Sequence, residues 1–235
     1  MKIRIKFTKL GATKFIGHLD VMRYFQKAIR RAGIAIRLSG GFSPHPVMSF
    51  ASPLGLGLTS RGEYLDIEVL PTEDLSTLKD RLSRVMAEGF EIRSCCLLPD
   101  SARNAMSIVA AADYRLTFRP GYRPEDMDAF FENLERFYSQ PQILITRQTK
   151  KGPQERDLKP LIYALRREED SLFLQVSSGS SDNLKPETVI EAFYRFQGQE
   201  LPPFALEICR EELYAASGEE DGRRFLPLEE LGEVI

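Results

Sequence analysis

The chain predicts an α+β fold of two tandem ferredoxin-like (split βαβ) domains with antiparallel sheets. Three observations lead there. Residues Lys2 to Phe7 alternate polar and apolar with period two, the pattern of a strand with one buried face. From His18 to Ala32 the apolar residues fall at three- and four-residue steps, the pattern of an amphipathic helix. The same succession of strand and helix signals then returns after a polar break at 99–108. A length of 235 residues accommodates both copies, at about 100 to 120 residues each.

In the first copy, Gly11 ends the opening strand. The helix follows, with Leu19, Met22, Phe25, Ile29 and Ala32 on its apolar face and Gly33 in the place of a C-terminal cap. Ile34 to Leu38 predicts a second strand, and Val47 to Ala51 and Tyr64 to Leu70 two more, around the glycine-rich stretch Pro53 to Leu58. Thr72 to Ala87 predicts a helix carrying Leu75, Leu78, Leu82, Val85 and Met86, and Phe90 to Leu98 a strand. The second copy predicts a strand at Asp113 to Phe118 and a helix at Pro124 to Tyr138, opened by proline and two early acids. Gln142 to Thr149 and Gln154 to Leu158 form a hairpin about Lys151-Gly152, and Ile162 to Arg166 pairs with Leu172 to Val176. Pro186 to Phe196 is a helix and Phe204 to Arg210 a closing strand. The expected organisation is a first domain at 1–98, a linker at 99–108, a second domain at 109–214 and an acidic tail at 215–235, a surface extension.

Composition excludes several classes. With 43% hydrophobic and 28% charged residues the chain is neither wholly disordered nor collagen-like. Its longest apolar runs, such as Val109 to Ala112, are far short of the roughly 20 residues of a membrane span. The alternating start lacks the apolar block of a signal peptide, so a soluble, cytoplasmic protein away from membranes is expected. The three cysteines, Cys95, Cys96 and Cys209, lack the spaced pairs of a zinc or iron–sulfur site. Buried reduced thiols are expected, with no metal and no cofactor.

Charge is uneven. The formal net charge is −2, yet residues 1–50 hold ten basic groups against Asp20 alone, which is +9, while 211–235 hold eight acids against Arg223 and Arg224, which is −6. Arg23, Lys27, Arg30 and Arg31 form a cationic stripe on the outer side of the first helix. Lys14 and Arg37 flank it. This density suggests an anionic partner, and RNA fits it: lysine and arginine neutralise phosphates, and Phe42 or Tyr64 offers a ring for stacking. A solvated basic surface is the alternative.

Both histidines, His18 and His45, lie in glycine- and proline-rich loops beside that stripe. Imidazoles there suit proton transfer or phosphate contact, and structural histidines bonded to backbone are the plainer reading. Asp20 suits a first-turn helix acid or a carboxylate orienting histidine. These three residues are the catalytic candidates. Ser43 lacks a nucleophile elbow and reads as a turn serine. Gly40-Gly41 and Gly55-x-Gly57 fit neither a Walker loop nor a dinucleotide fingerprint.

Several segments together resemble the radical-SAM-linked (radical-SAM-associated) family of uncharacterised bacterial proteins. They are Lys9-x-Gly11, Phe15-x-Gly17-His18-Leu19-Asp20, Arg30-Arg31-Ala32-Gly33, Ser39-x-Gly41-Phe42-Ser43-Pro44-His45-Pro46 and Gly62-Glu63-Tyr64-Leu65-Asp66. A weaker second signature is Asp157-Leu158-Lys159-Pro160-Leu161. The resemblance runs from Lys2 to about Tyr214. It implies a separate radical-SAM protein as partner, and it carries over no catalytic residue. The C-x-x-x-C-x-x-C ligands of a radical-SAM cluster are absent from this sequence.

The leading expectation is an accessory protein of a radical-SAM enzyme, binding tRNA or rRNA through its basic N-terminal face during RNA modification. An enzyme acting on a phosphate ester or nucleotide through His18, Asp20 and His45 is one alternative. An adaptor docking its partner through Pro53 to Leu58 is the other.

Overall fold

The computed structural model describes residues 1–149, 152–180, 182–218 and 223–235. The fold is α+β, with four α-helices among the described residues. Contacts divide the chain into a first unit of 1–111 with 210–235, and a second unit of 112–209.

The first unit starts with β1 (Lys2–Lys9), whose buried face holds Ile3, Ile5 and Phe7. A 3₁₀ turn at Gly11–Phe15 leads to α1 (His18–Arg31). Then come β2 (Met48–Phe50), β3 (Thr59–Glu68), α2 (Leu78–Ser83) and β4 (Ile92–Leu98). β1 lies antiparallel between β4 and β3, and β2 lies antiparallel on β3. The strand order is therefore β4-β1-β3-β2. Val21, Phe25, Ala28 and Ile29 of α1 bury against the strands with Leu78, Leu82 and Phe90.

The second unit takes in most of β5 (Val109–Phe118), α3 (Met127–Tyr138), the hairpin of β6 (Leu144–Thr149) and β7 (Gly152–Asp157), then β8 (Ile162–Glu168), β9 (Ser171–Ser177), α4 (Pro186–Phe196) and the first residues of β10 (Leu206–Ser217). Its strand order is β10-β5-β9-β8, with the hairpin a separate two-stranded sheet. Aromatic side chains join the two helices: Phe193 of α4 lies edge-on to Phe130 of α3 at 5.1 Å and 5.5 Å from Phe137.

From Arg210 on, the chain is again part of the first unit. β10 pairs with β3 there, and Gly62 is where they come closest: a Cβ on it would lie 2.5 Å from the Glu211 carbonyl oxygen. β11 (Arg224–Pro227) folds back on β10, Leu228 is fully buried, and β12 (Glu233–Val234) pairs with the outer edge of β4.

The differences from expectation have local causes. Ile34 to Leu38 forms no strand, only single bridges from Ile36 to Val69 and Leu38 to Pro46, because Gly33 turns at φ +64° and neighbouring residues bond to different segments. The helix expected at 72–87 shrinks to α2, since the Asp74 carboxylate takes the Ser76 amide and both following hydroxyls into a tight turn. On α1, Leu19 is 61% exposed, and Val21 and Ala28 take buried positions instead. The break at 99–108 holds a 3₁₀ turn, Ala105–Ser107, whose buried Ala105 amide donates to Asp66. The tail is built into the first unit because its leucines and Glu229 find partners on that sheet. Lys151 and 219–222 lie outside the described residues.

Candidate functional site

Successive side chains of a strand point to opposite faces. On β1, Lys2, Arg4 and Lys6 share the face away from α1, and this basic face is occupied by the protein itself. Arg4 forms a two-pronged pair with Asp66, at 2.7 and 2.9 Å, and donates to the Leu228 carbonyl at 3.1 Å. Lys6 lies 2.6 Å from both Glu212 and Glu229. The Tyr64 hydroxyl donates to Glu212 at 2.6 Å, and Ser94 donates to Glu229 at 2.5 Å. Burial, with the Glu212 charge behind it, holds the Tyr64 hydroxyl far above its usual range. Burial lowers the Lys6 pKa, but the two carboxylates outweigh it and hold it above its ordinary value. Lys2 donates to the carbonyls of Asp100 and Ala102.

The other face of β1 runs Ile3, Ile5, Phe7 and then Lys9, a lysine in the apolar phase and only 3% exposed. It borders a small cavity of about 10 Å³ with Phe7, Ile16, His18, Val21, Phe50, Ser52, Leu54 and Glu63. Glu63 is also buried, and both of its oxygens are held by Arg210, at 2.8 and 2.6 Å. Arg210 donates further to the Ser52 carbonyl at 2.9 Å. Lys9 forms no ion pair among the described residues; its Nζ meets the Lys14 carbonyl at 3.5 Å. Burial pushes the Lys9 amine down in pKa; Glu63 opposes this and Arg210 adds to it. His18, half-buried, stands edge-on to Phe50 at 5.3 Å, and its ring nitrogens have no hydrogen-bond partner among the described residues. Gly17 caps α1 with its backbone extended and no side chain to offer the first amides.

The remaining candidates are spread apart. Asp20 is exposed and pairs with Arg23 at 3.2 Å, so its carboxylate serves the helix surface. His45 is exposed and does not border the His18 cavity; its Nδ1 lies 2.9 Å from Ser39 Oγ and 3.3 Å from the Ser43 carbonyl. Gly41 sits at the loop tip at φ +99°, with Phe42, Ser43 and Pro44 exposed, while Pro46 bridges to Leu38. Asp157 accepts the amides of Ile143 and Lys159, and Lys159 donates to the Tyr138 carbonyl with its Nζ over that ring. Those two motif residues tie α3 to the hairpin.

Of the cationic candidates, Lys27 and Arg30 are exposed with no partner among the described residues. Arg31 donates to the Val85 carbonyl at 3.2 Å, Arg37 pairs with Glu68 at 2.9 Å, and Lys14 lies over the exposed Phe15 ring at 5.4 Å. Arg4, Lys6, Arg23 and Arg37 are all in ion pairs, so the basic surface is smaller than the formal +9 of the first 50 residues. Sequence reasoning gave no site role to Lys9, Ser52 or Arg210. The signal for Lys9 was its position in the apolar phase of β1. In the second unit a larger cavity, about 850 Å³, is bordered by charges of both signs, among them Arg147, Arg156, Lys185, Asp182 and Glu191.

Among the described residues no group of three or more His, Cys, Asp or Glu is placed to hold a metal ion, and no helix is long and apolar enough to cross a membrane. Among solved structures, the chain is similar to one in the crystal structure of a Cbf5-Nop10-Gar1 complex, at 10% identity and a TM-score of 0.47, covering 90% of this chain and 48% of that one. It thus spans about half the length of that protein. It is also similar to the first two RRM domains of yeast poly(U) binding protein (Pub1), at 12% identity and a TM-score of 0.23, covering 89% of this chain and 98% of that one. At these scores neither likeness bears on function. No curated protein matches. A bacterial family model described as "Uncharacterized protein conserved in bacteria (DUF2344)" matches residues 2–186, and the chain belongs to that family.

Proposed function

We propose that this protein binds RNA through the outer face of α1, as the accessory of a separate radical-SAM enzyme that modifies tRNA or rRNA. The observation that carries the reading is Lys27 and Arg30, three residues apart on an exposed helix face and without partners among the described residues. Arg23 adds to them, since an exposed pair such as Arg23–Asp20 is worth little and yields readily to a phosphate. The exposed rings of Phe15 and Phe42 offer stacking surfaces. The radical-SAM partnership is what the resemblance of the motif segments implies. On fold, the strand orders β4-β1-β3-β2 and β10-β5-β9-β8 support two ferredoxin-like units.

The test is binding to tRNA and rRNA fragments across a salt series, beside Lys27→Glu/Arg30→Glu. Both side chains are exposed and have no partner among the described residues, so the variant is expected to keep its fold, which circular dichroism checks. Affinity is expected to fall steeply with salt, and the log–log slope to shrink by about two in the variant. Unchanged binding by the variant, or none by the native protein, overturns the reading.

A further inference from the structure

We propose that the pocket at the start of α1 binds one oxyanion, a phosphate or carboxylate oxygen seated between the Lys9 ammonium and the His18 imidazole. Charge does not balance inside this built site. Lys9 and Glu63 border it, and Arg210 is paired with Glu63. Glu63 and Arg210 satisfy each other through two short hydrogen bonds, which leaves the Lys9 cation in excess. Lys9 as a residue is only 3% exposed, and its ammonium has one long contact to a carbonyl. A buried charge without a counter-ion is costly, and an incoming anion removes the cost.

A second observation points the same way. The His18 nitrogens have no partner among the described residues, and His18 opens a 14-residue helix whose Gly17 cap supplies no side-chain acceptor. A helix start with free amides favours negative charge. Burial lowers the Lys9 pKa, and the Glu63 charge, already shared with Arg210, does not restore it. The cavity, at about 10 Å³, has the room of one water-sized group. A single oxygen therefore enters, and the body of the ligand lies outside, past the half-buried Ile16 and Leu54. The site goes beyond the RNA reading, which uses the opposite face of α1, and it stands or falls separately.

The experiment is a titration of the ¹⁵N-labelled protein with inorganic phosphate and, separately, with sodium acetate, at constant ionic strength. Saturable shifts of the His18 and Leu19 amides are expected, and the tighter of the two anions assigns the ligand as phosphate or carboxylate. Lys9→Met is expected to weaken binding by about tenfold or more, and His18→Gln to weaken it with the fold intact, because this side chain is only half-buried. Lys27→Glu/Arg30→Glu leaves it unchanged. Shifts that do not saturate, or undiminished affinity in folded His18→Gln or Lys9→Met, overturn the proposal and leave the cavity to a water molecule.

Discussion

The guanidinium of Arg4 lies fork-to-fork against the carboxylate of Asp66, with both side chains at least nine-tenths buried. Neither is idle elsewhere: Arg4 also donates to Leu228, and Asp66 accepts the Ala105 amide. Removing one partner strands a buried charge. Asp66→Ala is expected to cost about 3–5 kcal/mol, and Arg4→Met/Asp66→Leu less than that single change. Urea denaturation of the three proteins checks the order.

The Lys6–Glu229 pair sets a pH window. Burial raises the Glu229 pKa, but hydrogen bonds from Lys6 and Ser94 outweigh it and hold the carboxyl below its ordinary 4.5. Its contribution is complete above 4.5 and is lost as pH falls through the lower folded value. Lys6 is held above its ordinary 10.5, so its contribution is complete below that value and is lost as pH rises through the higher folded one. The stability gap between the native protein and Glu229→Gln should be flat between about pH 5 and 10 and close on the acid side. Thermal melts of both proteins across pH measure it.

Cys95 and Cys96 should be inert in the folded protein. Both are fully buried, and burial, with Cys96 adjacent, pushes the Cys95 thiol up to about 12. Thiolate is the reacting form. Mass spectrometry after treatment with a maleimide should place label on Cys209 alone, and on all three cysteines in denaturant.

Gly62→Ala should destabilise the first unit by roughly 1–3 kcal/mol, because a Cβ there meets the backbone of Glu211 and Glu212, which cannot rotate away. Gly17→Ala meets nothing within 4 Å and should cost much less. Denaturation midpoints compare them.

How far the sequence foretold this depends on the distance over which each contact acts. The helix expected at Pro186 to Phe196 coincides with α4, and the start of α1 at His18 was visible, because both follow from local periodicity and helix-start signals. The tail was missed, since its burial depends on Leu228 and on β12 reaching β4, far back in the chain. At the site, His18 stood out by its residue type. Its neighbour Glu63 was noted as a motif residue only, and Arg210, 147 positions from Glu63, gave no local sign of their pairing. Formal charge misled for the same reason, because the acids that neutralise Arg4 and Lys6 come from β3, β10 and the tail.

The second unit is one continuous stretch, 112–209, set within a first unit whose parts are 1–111 and 210–235. On the ribosome this fixes an order of events. Residues 112–209 clear the exit before Arg210, Glu212, Leu228 and Glu229 do, so the second unit is expected to fold while the earlier half of the first unit still waits for them. Until then Glu63 lacks its guanidinium and Lys6 lacks both carboxylates. Nascent chains stalled with residue 209 just outside the exit tunnel would therefore carry a protease-resistant second unit and a protease-sensitive first one.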